Sequence, residues 1–340
     1  MSNTISRVLI ETVVKKALRD IKDSPERSIR NLVDMALQFS KGRFQKVFFE
    51  TTQTMLKDEN SAYYRLVGDV AHSVSEDRML TFGVNLGYSS CTYGAKIIRE
   101  TEAKEHFNIP WALSLGVDEA SWSEHASRYL KAISEGETIG IYSWLLFADG
   151  CPTELLSVAA QHPKHAFAIF CEPEHVTQKL MEETETINNI MFVIRYGDAA
   201  AEACQVLREN KQLYSVYMQY TEQDVESILG DELFCCAEPL HPAFTMLLAD
   251  HACSMSTQTM VYDYVAKSRR EQKHQTIPWD VIHDNCFVDS IISDDACAAG
   301  FDKNGNLCTI EEQPCRKACN LFAQPLAEIL KMAFPKAGHL

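Results

Sequence analysis

The chain has 340 residues, 46% of them hydrophobic and 23% charged, with a formal net charge of −15. That balance belongs to a globular protein with enough apolar residues for a full core. The negative charge opposes binding to nucleic acid or anionic membranes, which recruits Lys and Arg. No apolar run approaches the ~18 residues of a membrane span, and the first twenty residues read as an amphipathic helix rather than a secretion signal. The expectation is a cytoplasmic protein that binds a small molecule, with no nucleic-acid or membrane partner. In that compartment the twelve cysteines stay reduced, and clustered ones are metal-binding or catalytic more often than bridged.

In chain order, "DSPERSIRNLVDMALQF" opens with Ser24 as N-cap and Pro25 in the first helical position, and carries an apolar stripe at Ile29, Leu32, Val33, Ala36 and Leu37. Eight short apolar runs follow: "KVFFET", "LTFGVNL", "WALSLGV", "TIGIYSWLLF", "AFAIFC", "IMFVIRY", "LYSVYMQ" and "ELFCCAE". They do not alternate, as expected of strands buried on both faces, and the segments between them have helix-forming composition. The series predicts an α/β fold, a parallel (β/α) barrel, complete or partial, with a doubly wound open sheet as the alternative. Residues 242–284 read as mostly helical. Asn304-Gly305 marks a hairpin with a type I′ turn, and "LFAQPLAEILKMAF" closes the chain as a helix bent at Pro325. The corresponding units are N-terminal helices over 1–44, the barrel over 45–284, and a Cys-rich hairpin and helix over 285–340.

Functional groups of a parallel barrel lie at the carboxyl ends of its strands. The polar residues after successive runs include Asn85, Tyr88, Asp118, Asp149, Glu172, Arg195, Gln219, Glu238 and His241. Helix capping competes with ligand binding at each. "FGVNLGYSSCTYGAKIIRE" frames Asn85 and Tyr88 with glycines ahead of a helix, a setting for either an anion-binding loop or a structural turn. A guanidinium at Arg195 can take a ligand carboxylate in bidentate fashion, or pair internally with Glu172 or Glu238. Glu238 and His241, in "FCCAEPLHPAF", would exchange protons if buried together, and one of Cys235 and Cys236 is expected in the core. Glu172, Glu238 and His241 are the candidate catalytic groups, and Asn85, Tyr88, Asp118 and Arg195 the candidate cofactor contacts.

The tail spaces its cysteines as Cys286-x10-Cys297-x10-Cys308-x6-Cys315-x3-Cys319. Zinc and iron–sulfur clusters both need convergent thiolates, and packing of reduced cysteines is the alternative. A helical "PCRKACN" would put Cys315 and Cys319 on one face. The hairpin "CAAGFDKNGNLC" followed by further cysteines resembles the C-terminal extension of SPASM-type radical-SAM enzymes. That resemblance implies a β/α barrel, an auxiliary cluster on Cys297, Cys308, Cys315 and Cys319, and S-adenosylmethionine held partly by Arg195. The family's Cys-x3-Cys-x2-Cys motif is absent: "NLGYSSCTYGA" holds Cys91 alone, and "CRKACNLF" has Phe322 at the third position. Three functions follow as alternatives: an enzyme acting on a small polar metabolite, a non-catalytic relative binding a ligand or partner, or a divergent radical-SAM enzyme.

Overall fold

The computed structural model describes residues 2–40, 42–150, 152–293, 295–309 and 316–336. Five helices come first: α1 (Ser2–Asp23), α2 (Pro25–Phe39), α3 (Arg43–Met55), α4 (Ala62–Ser73) and α5 (Glu76–Val84). A ten-residue π-helix, Asn85–Gly94, joins α5 to α6 (Ala95–Glu105). The stretch 45–105 is therefore helical, and the runs "KVFFET" and "LTFGVNL" are not strands. Their aromatic and β-branched content suits either state, but other groups decide for helix. In α3, Phe44 stacks on Phe48 one turn away with ring centroids 6.0 Å apart. In α5, Ser75 caps the Arg78 N–H, and Glu76 and Asp77 sit favourably in the positive first turn.

Seven parallel strands then alternate with helices: β1 (Ala112–Asp118), α7 (Glu119–Ile139), β2 (Ser143–Asp149), α8 (Thr153–Gln161), β3 (Ala166–Cys171), α9 (Gln178–Glu183), β4 (Ile190–Arg195), α10 (Ala200–Glu209) and β5 (Tyr214–Tyr220), followed by α11 (Val225–Leu229), α12 (Glu232–Ala237), β6 (Phe244–Ala249), α13 (Met255–Glu271), β7 (Ile277–Asp280) and α14 (Val281–Ile292). The run "ELFCCAE" forms α12: Leu233, Phe234 and Ala237 turn inward on a helical period, and both Cys235 and Cys236 are exposed. The sixth and seventh strands instead come from 244–249 and 277–280, inside the segment expected to be helical. The tail adds β8 (Ala299–Phe301), β9 (Asn306–Thr309), β10 (Arg316–Asn320) and α15 (Leu326–Ala333). Pro325 precedes this last helix rather than bending it, and the "PCRKACN" segment, where described, is strand.

The sheet order is β10-β9-β8-β1-β2-β3-β4-β5-β6-β7. The parallel strands lie in chain order, with β8 parallel against the outer side of β1 and β9 and β10 antiparallel beyond it. The architecture is a partial (β/α) barrel with N-terminal helices and a C-terminal hairpin. In that hairpin Gly305 alone takes positive φ, +76°, so the turn is not type I′. The Asp302 carboxylate organises it instead, accepting from the Asn304 and Asn306 N–H groups.

Both faces of the sheet are covered. Leu113, Trp144, Ile169, Phe192 and Val216 point towards α6–α10 and α15 and form the larger core. Residues one step away, among them Phe170, Met191, Val193, Tyr217 and Met246, pack against Val74 and Phe82 of the N-terminal helical unit. Each fully buried large apolar side chain contributes roughly 1.5–3 kcal/mol, which explains the unbroken hydrophobic runs of β3 and β4.

The outer edge of β7 is sealed. The Ile277 N–H points inward to the Ala243 carbonyl, so Pro278 and Asp280 direct their backbone groups outward. Pro278 has no N–H to offer, and its carbonyl accepts from Arg269 at 3.0 Å. The Asp280 N–H donates to Asp284 at 2.8 Å. Arg269 and Asp284 pair with each other through two hydrogen bonds of 2.8 and 2.5 Å, and the guanidinium lies over the Trp279 ring. Asp284 is 2% exposed, so Arg269→Ala strands a buried carboxylate. It is expected to destabilise the chain by about 3 kcal/mol or more, measured by urea unfolding. Combining Arg269→Met with Asp284→Leu, which removes both charges, is expected to lose less than Arg269→Ala alone.

Candidate functional site

The carboxyl ends of adjacent strands are closed by paired polar side chains. Asp118 and Asp149 are register neighbours on β1 and β2, and Lys303, from the β8–β9 turn, lies 3.2 Å from each. Asp118 also caps α7, taking the Ser121 N–H at 2.7 Å. That bond, with smaller help from Lys303, holds its carboxyl below the usual range. Arg195 donates from Nη1 to Glu172 at 3.1 Å, and Gln219 donates to Asp250 at 3.0 Å. The hydrogen bond to Glu172 raises the Arg195 pKa.

Strand alternation puts an aromatic floor under this rim, because Phe147, Phe170 and Tyr217 lie two residues before Asp149, Glu172 and Gln219. Phe147 and Phe170 stack at 4.3 Å, and Tyr217 meets Phe170 edge-on at 5.2 Å. Burial pushes the Tyr217 hydroxyl up to about 12. Phe147 keeps part of its surface exposed. The face therefore offers one guanidinium, several carboxylates and aromatic rings, a combination suited to a molecule carrying both charges.

Of the residues singled out in the sequence, Asp118, Asp149, Glu172, Arg195 and Gln219 lie at these strand ends, and Asn85, Tyr88, Glu238 and His241 do not. Asn85 is buried in the π-helix at the amino end of the sheet, where its amide donates to the Pro163 and His165 carbonyls and its oxygen accepts from Arg7. Tyr88 lies in the same π-helix, half-buried. The glycine here that close packing requires is Gly94: a Cβ would fall 2.3 Å from the Gly140 carbonyl. "NLGYSSCTYG" is thus a packing element at the opposite end from the rim.

Glu238 and His241 also lie before a strand, β6, and do not pair with each other. Glu238 accepts from the Gln275 N–H and lies 3.1 Å from Nδ1 of His274, whose Nε2 is 3.1 Å from Asp231. His241 lies 3.5 Å from Asp69, which Arg208 already holds in bidentate fashion. The sequence reading missed His274 because its partners are more than thirty positions away in the chain. It also missed Lys303, although the hairpin carrying it was singled out.

Among the described residues no three of the tail cysteines converge. Cys297 is buried and donates to Ser293 at 3.5 Å. Cys308 is half-buried on β9, Cys319 is buried on β10, and Cys315 lies outside the described residues. Burial, with Asp289 nearby, raises the Cys297 thiol well above its ordinary value, against the thiolate form a metal needs. Cys91 is likewise pushed up to about 12 by burial. Among the described residues, the one group of three or more His, Cys or carboxylate side chains that converges within 4.8 Å is Glu137, His162 and His165. The described cysteines do not fit a cluster.

The sheet order and the rim define a partial (β/α) barrel with a polar strand-end face over aromatic rings. The chain matches no protein-family profile and no curated protein sequence. It is similar in outline to solved structures of Streptococcus suis SuiB. The structure bound to S-adenosylmethionine shows 12% identity and a TM-score of 0.48, covering 69% of this chain and 66% of that one. The structure bound to precursor peptide SuiA shows 12% and 0.48, covering 70% and 68%. A further SuiB structure shows 11% and 0.48, covering 87% and 77%. The chain thus spans just under two thirds of the first of these. Among its described residues no helix is long and apolar enough to cross a membrane.

The buried acid beside Cys297 generates a pH effect. Asp289 is fully buried; its Oδ1 accepts from the Trp111 N–H at 2.8 Å, and Oδ2 has no partner among the described residues. Desolvation raises its pKa well above the ordinary 3.8. A carboxyl that keeps its proton in the folded state, while the unfolded chain ionises, contributes stability at low pH that declines as pH rises. The loss is at most about 1.4 kcal/mol per pH unit, and ends at the folded-state pKa. Asp289→Asn retains the acceptor for Trp111 and cannot ionise. Urea unfolding from pH 4 to 8 is expected to show a flatter pH slope for the variant than for the wild type.

Proposed function

We infer that the carboxyl end of the sheet binds a small zwitterionic molecule. The observation that carries this reading is Arg195. Only Nη1 is engaged by Glu172, and Nε and Nη2 have no protein partner among the described residues, so an edge of the guanidinium is available to a ligand carboxylate. The ligand carboxylate takes the open Nε and Nη2 edge while Nη1 stays with Glu172, and the other Glu172 oxygen receives the ligand's cationic group. The partly exposed Phe147 ring adds a cation–π surface. Glu172 is the candidate catalytic group on this face, beside Arg195. Because the described cysteines do not converge, iron–sulfur chemistry forms no part of this reading.

S-adenosylmethionine, with a carboxylate, an ammonium and a sulfonium, is the first ligand to test, followed by cationic and neutral amino acids. Isothermal titration is expected to detect binding to the wild type and a loss of about ten- to hundredfold in Arg195→Ala, the worth of a charge-assisted hydrogen-bond pair. Arg195→Lys should recover part of it. Wild-type affinity in Arg195→Ala, or no binding of any zwitterion, would remove this function.

A further inference from the structure

The amino end of the sheet carries a second arrangement that the strand-end reading does not use. Residues His162, Pro163, Lys164 and His165 form the turn between α8 and β3, closed by a hydrogen bond from the His165 N–H to the His162 carbonyl at 3.0 Å. Two buried amides fix this turn. Asn85 donates to the Pro163 and His165 carbonyls, and Asn189 donates to those of Ala159, His162 and His165, at 2.7–3.1 Å. The backbone bearing both imidazoles is therefore held in one conformation before any ligand arrives. Glu137, on the last turns of α7, faces them.

We propose that Glu137, His162 and His165 form a site for a zinc-class divalent transition-metal ion. One ligand atom from each lies within 4.8 Å of the others. Two imidazoles and a carboxylate are a donor set that zinc accepts, leaving a position for water. Nε2 of His165 and Oε2 of Glu137 are 3.3 Å apart. That is long for a charge-assisted hydrogen bond, and it equals the ligand–ligand edge of a tetrahedron with metal bonds of ~2.0–2.1 Å, which is about 3.3 Å. The two atoms need not move apart to admit the ion.

The Trp144 indole N–H donates to Nδ1 of His165 at 3.0 Å, so Nε2 carries the ring proton. Metal binding then requires the other tautomer: the Nε2–H bond breaks and its proton goes to water, an Nε2–metal bond forms, and Nδ1 takes a proton from water, so the ring binds neutral and gives up the Trp144 hydrogen bond. Trp144 therefore sets the affinity without touching the ion. With Phe in its place, Nδ1 can keep the proton and the ring can bind as a neutral imidazole.

The test titrates full-length protein with Co2+, whose optical spectrum separates sites made of nitrogen and oxygen from thiolate sites, and then competes it with Zn2+. The wild type is expected to bind one equivalent with d–d bands and no thiolate charge-transfer band. Glu137→Gln and His162→Gln, both at partly exposed positions, should each weaken that equivalent by about tenfold or more with unchanged circular dichroism. Trp144→Phe should bind at least as tightly as the wild type, an outcome that a purely structural role for the trio would not produce. Equal cobalt affinity in wild type, Glu137→Gln and His162→Gln, or cobalt held solely with a thiolate band, overturns the proposal.

Discussion

A buried side-chain amide, that of Asn85, joins the N-terminal helical unit to the sheet, and a second, that of Asn189, braces the turn it reaches. Asn85 comes from the N-terminal helical unit and Asn189 from the entry to β4, and both give their N–H groups to carbonyls of the turn before β3. Those carbonyls lie where no strand ladder can reach them. A buried carbonyl without a donor costs about 1–3 kcal/mol, and Asn85 supplies a donor to the carbonyls of Pro163 and His165. The close crossing of Gly94 and Gly140 lets the π-helix approach near enough for Asn85 to act. Asn85 thereby ties the π-helix to the turn that carries both His162 and His165.

Much of the sheet was legible in the sequence, and the reason is burial on both faces. Strands β1 to β5 are continuous apolar runs because helices cover one side and the N-terminal unit covers much of the other. The same criterion failed for α3, α5 and α12, where aromatic residues clustered in a short stretch mimic a buried strand. It also failed for β6 and β7, where the chain passes through short strands between longer helices. What distinguishes these cases is capping at Ser75 and long-range pairing at Arg269, and the second of these leaves no periodic trace.

The candidate site was legible to the extent that strand ends were. Asp118, Glu172 and Arg195 stand at strand ends, as their runs imply, because a parallel register brings successive carboxyl ends to one edge. Asn85, Glu238 and His241 were placed with them only because their segments were read as strands; as helices and loops, those segments lie at the other end. The Cys-rich tail showed the opposite failing. Its cysteines drew attention by their number, whereas the residue that reaches the rim is Lys303, an ordinary charged side chain at a turn. Cysteine spacing along the chain says little about convergence when the residues lie on antiparallel strands and a helix end.

The Arg269–Asp284 pair shows how the sheet ends where it does. In a closed barrel the last strand gives its outward hydrogen-bonding groups to another strand. Here a proline removes one donor and two side chains occupy the remaining groups, so β7 has nothing to offer a neighbour at those positions. An unsealed parallel edge is a template on which a second chain can polymerise. The ion pair that satisfies buried Asp284 thus also denies the β7 edge to a further strand at Pro278 and Asp280.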